Sequence, residues 1–99
     1  MKLVITDEAR DDLAHIADWV ARNNPHRALS FIDEIEAHCQ IIAGTPFAYP
    51  LLPGREDSGI RRAVHGNYLI FYHIDPGATV VLHVIHGARD YDRILFPED

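Results

Sequence analysis

Residues 60–86 read IRRAVHGNYLIFYHIDPGATVVLHVIH. Three runs rich in β-branched and aromatic residues, 60–64, 68–75 and 79–86, are separated by HGN and PGA. Links that short, each with a glycine, join antiparallel neighbours, so the segment predicts three strands in sequence. Side chains alternate along a strand, which puts Tyr68, Ile70, Tyr72 and Ile74 on one face and Leu69, Phe71 and His73 on the other. Both faces are apolar, and such a sheet needs a cover on each. The same alternation sends the consecutive Arg61 and Arg62 to opposite faces. It also separates His83 from His86, so that both cannot ligate one ion while the strand stays regular.

Upstream lie the elements that supply one cover. KLVIT, residues 2–6, suits a short first strand. Thr6 is placed to cap the helix that follows, and Asp7 and Glu8 put negative charge at its positive end. Ala9, Leu13, Ile16, Ala17 and Val20 then recur on one helical face, with Trp19 off the centre of the stripe. NNPH, residues 23–26, ends this helix and starts another, since Asn24 is a good cap and Pro25 is tolerated in a first turn. Ala28, Phe31, Ile32, Ile35, Cys39 and Ile42 mark the buried face of the second helix, and Gly44 stops it. Residues 45–59, TPFAYPLLPGREDSG, are too rich in Pro and Gly for a helix or a central strand. Phe47, Tyr49, Leu51 and Leu52 suggest that this loop lies against the body. The fold class is therefore α+β: an N-terminal strand and a two-helix hairpin packed on one face of a mainly antiparallel four-stranded sheet, within a single domain over residues 1–99. No second layer is visible for the other face beyond the long loop and the tail, which leaves room there for a partner protein. Residues 97–99 are expected to fray.

Composition narrows the function. The 99 residues are 47% apolar and 24% charged, at the average for globular chains. No apolar run approaches the roughly 20 residues of a membrane helix, and the start turns acidic where a signal peptide stays apolar, so no membrane role and a cytoplasmic location are expected. The lone Cys39 reads as a small core residue. Net charge is −6, and both halves of the chain are acidic. A protein that grips a phosphate backbone usually shows a basic face, so nonspecific nucleic-acid binding is disfavoured. Seven histidines invite a metal, yet no ligand spacing supports one, and the helical His15, His26 and His38 read as ordinary polar positions. No metal and no cofactor are expected.

The constellation with chemical content joins Arg61 and Arg62 to His83, His86, Arg89 and Tyr91 at the end of the last strand. Arginine to clamp an oxyanion, with His or Tyr as proton carrier, suffices for metal-free RNA cleavage through the 2′-hydroxyl. The plainer reading pairs Arg89 and Asp90 with each other or with neighbours as the chain leaves the sheet.

The order strand, helix, helix, Pro-rich loop, three strands resembles the RelE/ParE superfamily of toxins from type II toxin–antitoxin modules, over nearly the whole chain. The details resemble the ParE branch. Ala9, Asp12 and Leu13 fit the Ala-Xaa-Xaa-Asp-Leu opening of its first helix. Gly66 and Tyr68 fit its Gly-Xaa-Tyr hairpin after an Arg. The last strand runs into His-Gly-Ala-Arg-Asp, here His86 to Asp90.

That resemblance implies an intracellular growth inhibitor held in check by a cognate ParD-like antitoxin, with DNA gyrase as target and operator DNA bound only through the antitoxin. It implies a protein inhibitor with no catalytic residue, in which Arg61, Arg62, His86, Arg89, Asp90 and Tyr91 are candidates for contacting the target or the antitoxin. An antitoxin segment that folds on binding suits an apolar face such as that of Leu69 and Phe71. Two alternatives stand beside it: a RelE-like, metal-independent messenger RNA endonuclease using Arg62, His86, Arg89 and Tyr91, and a degenerate toxin that only binds its antitoxin. The single lysine, Lys2, and the acidic balance favour the ParE branch.

Overall fold

The computed structural model describes residues 1–98. Strand β1 (Lys2–Ile5) leads into helices α1 (Asp7–Asn23) and α2 (Pro25–Gly44). After the loop come β2 (Arg61–His65), β3 (Tyr68–Asp75) and β4 (Ala78–His86), and the chain closes with a short helix α3 (Tyr91–Leu95). The sheet order is β1-β4-β3-β2, with β1 parallel to β4 and the other pairs antiparallel. The α+β architecture expected from the sequence is the one observed.

The helix boundaries follow their capping residues. Thr6 accepts the Ala9 N–H at 3.2 Å and Asn24 accepts the Arg27 N–H at 3.1 Å, each satisfying a donor that a helix start leaves without an intrahelical partner. One turn glycine is required by its backbone: Gly66, between β2 and β3, has φ of 59°, a region that L side chains rarely adopt.

Ala9, Leu13 and Ile16 of α1 and Ile35, Cys39 and Ile42 of α2 pack on Ala63, Ile70, Tyr72, Val81 and Val84 of the sheet. Full burial of one such aliphatic side chain stabilises the fold by about 1.5–3 kcal/mol. Tyr72 is completely buried and its hydroxyl donates to the Pro46 carbonyl, so the phenol brings its own polar partner into the core. Burial pushes its ionisation up to about 12.

On the opposite sheet face the loop and the tail, the only cover the sequence offered, close over Phe71, which departs from the room expected there for a partner. Phe71 and Ile85 are buried there beneath Leu52 and Ile60 of the loop, with Leu69, Leu82, Tyr91, Ile94, Leu95 and Phe96 packed around them. The face expected to await a partner is covered by the chain itself. α3 escapes sequence reading because five residues are too few for a helical period to show. The loop also pairs with the sheet edge, where Leu52 N–H donates to the Ile60 carbonyl and Arg62 N–H to the Pro50 carbonyl. Of its apolar side chains Leu52 is buried, but Phe47 stands exposed, contrary to expectation. Of the residues expected to fray, Pro97 and Glu98 are exposed, and Asp99 lies outside the described residues.

A second departure is a bulge in β4. Phe71 pairs with His83 and Tyr72 with Val81, which leaves Leu82 without a partner and shifts the alternation by one residue. Val81 and Val84 therefore both reach the helix-side core although they are three apart. Beyond the bulge the alternation is regular again, so His83, paired with Phe71, and His86, paired with Tyr68, keep the expected separation, while the His83 ring meets Asp12 of α1 at the open edge of β4.

Candidate functional site

The end of β4 is shaped by where β1 stops. Ile5 is the last residue of β1 and lies opposite Val81, so the outer side of β4 has no strand beyond that point. Residues at and after the turn take over. Thr6 N–H donates to the Val81 carbonyl at 3.1 Å, and its hydroxyl lies 2.9 Å and 3.1 Å from the Val81 and Leu82 carbonyls. One turn into α1, the Asp12 carboxylate accepts the Val84 N–H at 2.9 Å and sits 2.8 Å from His83 Nδ1.

Beyond this clamp the sheet end opens into a cleft of about 600 Å³. Asp12, His15, Ile16 and Trp19 of α1 form one wall, Tyr68, Val84 and His86 the floor, and Arg89 the rim. Trp19 is 59% exposed, a large apolar surface at the mouth. The His86 ring stands edge-on to Tyr68 at 5.2 Å, and its Nδ1 accepts the Ala88 N–H at 3.0 Å. That bond leaves Nε2 as the nitrogen able to donate when the ring is neutral.

A second cleft, of about 310 Å³, lies on the opposite face and is lined by Leu52, Pro53, Arg62, Arg89, Asp90, Tyr91 and Asp92. Arg62 donates to the Tyr91 hydroxyl at 3.3 Å, and the Tyr91 ring packs on Phe71 at 5.2 Å. Asp90 caps α3 through the Arg93 N–H. Arg55 holds Asp92 through paired bonds of 3.1 Å and 2.9 Å, and its guanidinium stacks 4.1 Å over the Phe96 ring. That arginine keeps the Asp92 carboxyl below the usual carboxylate range.

The six residues singled out from the sequence are thus partly gathered and partly split. Arg89 borders both clefts; Arg62, Asp90 and Tyr91 line only the second, and His86 only the first. Arg61 belongs to neither. Its guanidinium donates to the Tyr49 carbonyl at 2.6 Å and lies 5.2 Å from the Phe47 ring centre, which makes it a tie between β2 and the loop. The placement of Arg61 and Arg62 on opposite faces follows their register with Tyr72 and Phe71.

Chemically, the first cleft offers an apolar floor, an indole, two imidazoles and a guanidinium at one end. The second offers two guanidiniums and a phenol, with Asp90 and Asp92 reducing its positive field. A nuclease built from Arg62, His86, Arg89 and Tyr91 needs these groups around one phosphate, and the sheet places His86 on the other face from Arg62 and Tyr91. Among the described residues no three His, Cys, Asp or Glu side chains gather as a metal site.

Sequence reading missed Trp19 and Asp12 as site-forming residues. Asp12 carried a signal, since it belongs to the motif noted in the first helix, but its target is a backbone amide 72 residues away. Trp19 showed only as an apolar residue off the helical stripe.

A family model described as the ParE toxin of the type II toxin–antitoxin system, parDE, matches residues 3–91. Among solved structures, one described as a chromosomal ParDE toxin–antitoxin system from P. aeruginosa superposes with a TM-score of 0.76 at 18% identity. The match covers 87% of this chain and 95% of that one. At that identity the likeness concerns the fold. No curated protein matches the chain.

Proposed function

From its membership of the ParE toxin family of type II toxin–antitoxin systems, we propose that this chain is a protein inhibitor of DNA gyrase, neutralised by a ParD-like antitoxin that also brings it to operator DNA. It acts in the cytoplasm and without catalysis. No helix among the described residues is long and apolar enough to cross a membrane.

The observation that carries the noncatalytic reading is the division of the polar groups between two sheet faces. Arg89 is the only one of them that borders both clefts, so it is the side chain best placed to meet a macromolecular surface wrapped around the end of the sheet. Trp19, exposed beside it on α1, adds apolar area of the kind that anchors protein contacts. The acidic net charge fits a protein target better than a nucleic-acid backbone.

The test is induction of this chain alone in bacteria, scoring viability, the SOS response and transcript integrity together. Filamentation with SOS induction and intact transcripts supports gyrase inhibition. Rapid transcript loss without SOS overturns it in favour of the endonuclease, and unaffected growth overturns it in favour of a chain that only binds its antitoxin.

A further inference from the structure

On the helix side of the sheet, two imidazoles that line neither cleft meet between α2 and β2. His38 Nδ1 and His65 Nδ1 are 2.9 Å apart, within hydrogen-bond distance. For that contact to hold, one nitrogen donates and the other accepts, so the two facing positions share a single proton. His38 Nε2 lies 3.3 Å from the Tyr49 hydroxyl, which fixes the outer side of the ring against the loop. Phe31 of α2 packs on His65 at 5.7 Å and on Tyr68 of β3 at 5.5 Å, closing the contact with aromatic surface. Glu34 of α2 is the carboxylate whose field reaches His65, and Arg27 on the same helix pairs with it. Two imidazoles alone are short of a metal site, and among the described residues no third ligand joins them.

Charging both rings changes this contact in kind. Each imidazolium carries a proton on both nitrogens, so both facing nitrogens become donors, and two positive rings 5.2 Å apart repel in a half-buried setting. Glu34 opposes that repulsion only partly, because it is exposed and already engaged by Arg27.

We propose that the His38–His65 pair is a proton-sensitive latch, tying α2 to β2 while at least one ring is neutral and can accept, and releasing that contact when both rings are protonated. Burial first, and the neighbouring His65 second, lower the His38 ionisation below its ordinary 6.5. A group lowered in the fold takes its proton more readily when the chain is unfolded. The latch therefore stabilises fully above about 6.5, and its contribution is lost as pH falls from there through the folded value. It is a property of the fold and does not depend on the toxin activity.

The test follows the ring nitrogens of the full chain by NMR from pH 8 to 5, with urea unfolding monitored by circular dichroism in the native chain and in His65→Gln. Glutamine removes the second charge and keeps a hydrogen-bonding group. The expected result is two separated ring titrations for the pair, characteristic of coupled sites. Below about pH 6.5, the folding equilibrium constant of the native chain should also fall by up to about tenfold more per pH unit than that of the variant. Equal slopes in the two proteins, or two rings titrating as independent single sites, overturn the latch. If His65→Gln does not fold, the ring titrations of the native chain decide alone.

Discussion

The Asp12 carboxylate accepts the backbone N–H of Val84 across 2.9 Å, at the point where β1 has ended and β4 continues without a strand on that side. A side chain on α1 thus replaces a missing ladder partner and ties the helix to the edge of β4. The same oxygen meets His83. Asp12→Ala orphans a part-buried amide and should cost about 1–3 kcal/mol. Asp12→Asn retains an acceptor oxygen and should cost less. Urea unfolding of the three proteins checks the order, and equal losses in both variants contradict the role assigned to the amide.

Under the proposed function, Arg89 is the candidate for target contact and Arg61 is a structural residue. Arg89 has an exposed position bordering both clefts, whereas Arg61 ties β2 to the loop through the Tyr49 carbonyl and the Phe47 ring. Arg89→Ala should therefore relieve growth inhibition at least tenfold, about 1.4 kcal/mol of binding, with an unchanged melting temperature. Arg61→Ala should lower the melting temperature first. Plating efficiency on induction and thermal unfolding read the two effects independently, and toxicity unaltered by Arg89→Ala removes this residue from the target surface.

Much of this arrangement was legible in the sequence. The strand runs, their turn signals and the two capped helices are local properties, set by residues within a few positions of one another. Opposite placement of Arg61 and Arg62 follows from strand alternation alone. The bulge at Leu82 was not legible, because both parities of β4 mix apolar with polar residues and no clean alternation shows where the register slips. The loop and the tail were legible as the candidate cover of the other face, but how fully they bury Phe71 was not. Leu52 and Ile94 come from segments without period, and only the folded chain brings them to one face with Ile60. The division of the polar cluster was likewise hidden, since Arg89 and Tyr91 are two residues apart in sequence yet only Arg89 borders the α1 cleft.

Tyr91 discriminates between inhibition and catalysis. Its hydroxyl receives one hydrogen bond of 3.3 Å from Arg62, and its ring packs on Phe71. Tyr91→Phe keeps the ring and removes the oxygen, so the expected stability loss is no more than about 0.5–1.5 kcal/mol. A noncatalytic toxin should retain its full effect on growth in this variant. A nuclease that used the phenol as proton carrier should lose about 10²–10⁴-fold in cleavage rate. Growth curves and transcript integrity, measured side by side, decide between them.

Cys39 should be chemically silent in the fold. It is 1% exposed in the helix-side core, and burial pushes its thiol up to about 11. Little thiolate exists at neutral pH, and a reagent has no path to it. Labelling by a thiol reagent should proceed only through opening of the α2–sheet contact, so its rate should rise with urea in parallel with unfolding. Fast labelling in native buffer implies that α2 opens locally, well below the cost of global unfolding.

The tail is tied down by charge as well as by apolar packing. Arg55 engages Asp92 through two bonds and stacks on Phe96, fastening both ends of α3 to the loop over Phe71 and Ile85. The arginine holds the Asp92 carboxyl below its ordinary 3.8, so the sign is that of a carboxylate stabilised by its partner. The contribution is present at neutral pH, and it declines as pH falls through 3.8 and the lower folded value. Asp92→Asn should loosen α3 at pH 7 as acid does in the native chain. Salt should weaken the native contact, because both groups are partly exposed. Loosening uncovers the apolar patch beneath, so the variant should bind a hydrophobic dye while its core helices remain protected from amide exchange. If Asp92→Asn shows neither dye binding nor faster exchange in residues 91–95, the Arg55–Asp92 ion pair is not what holds the tail.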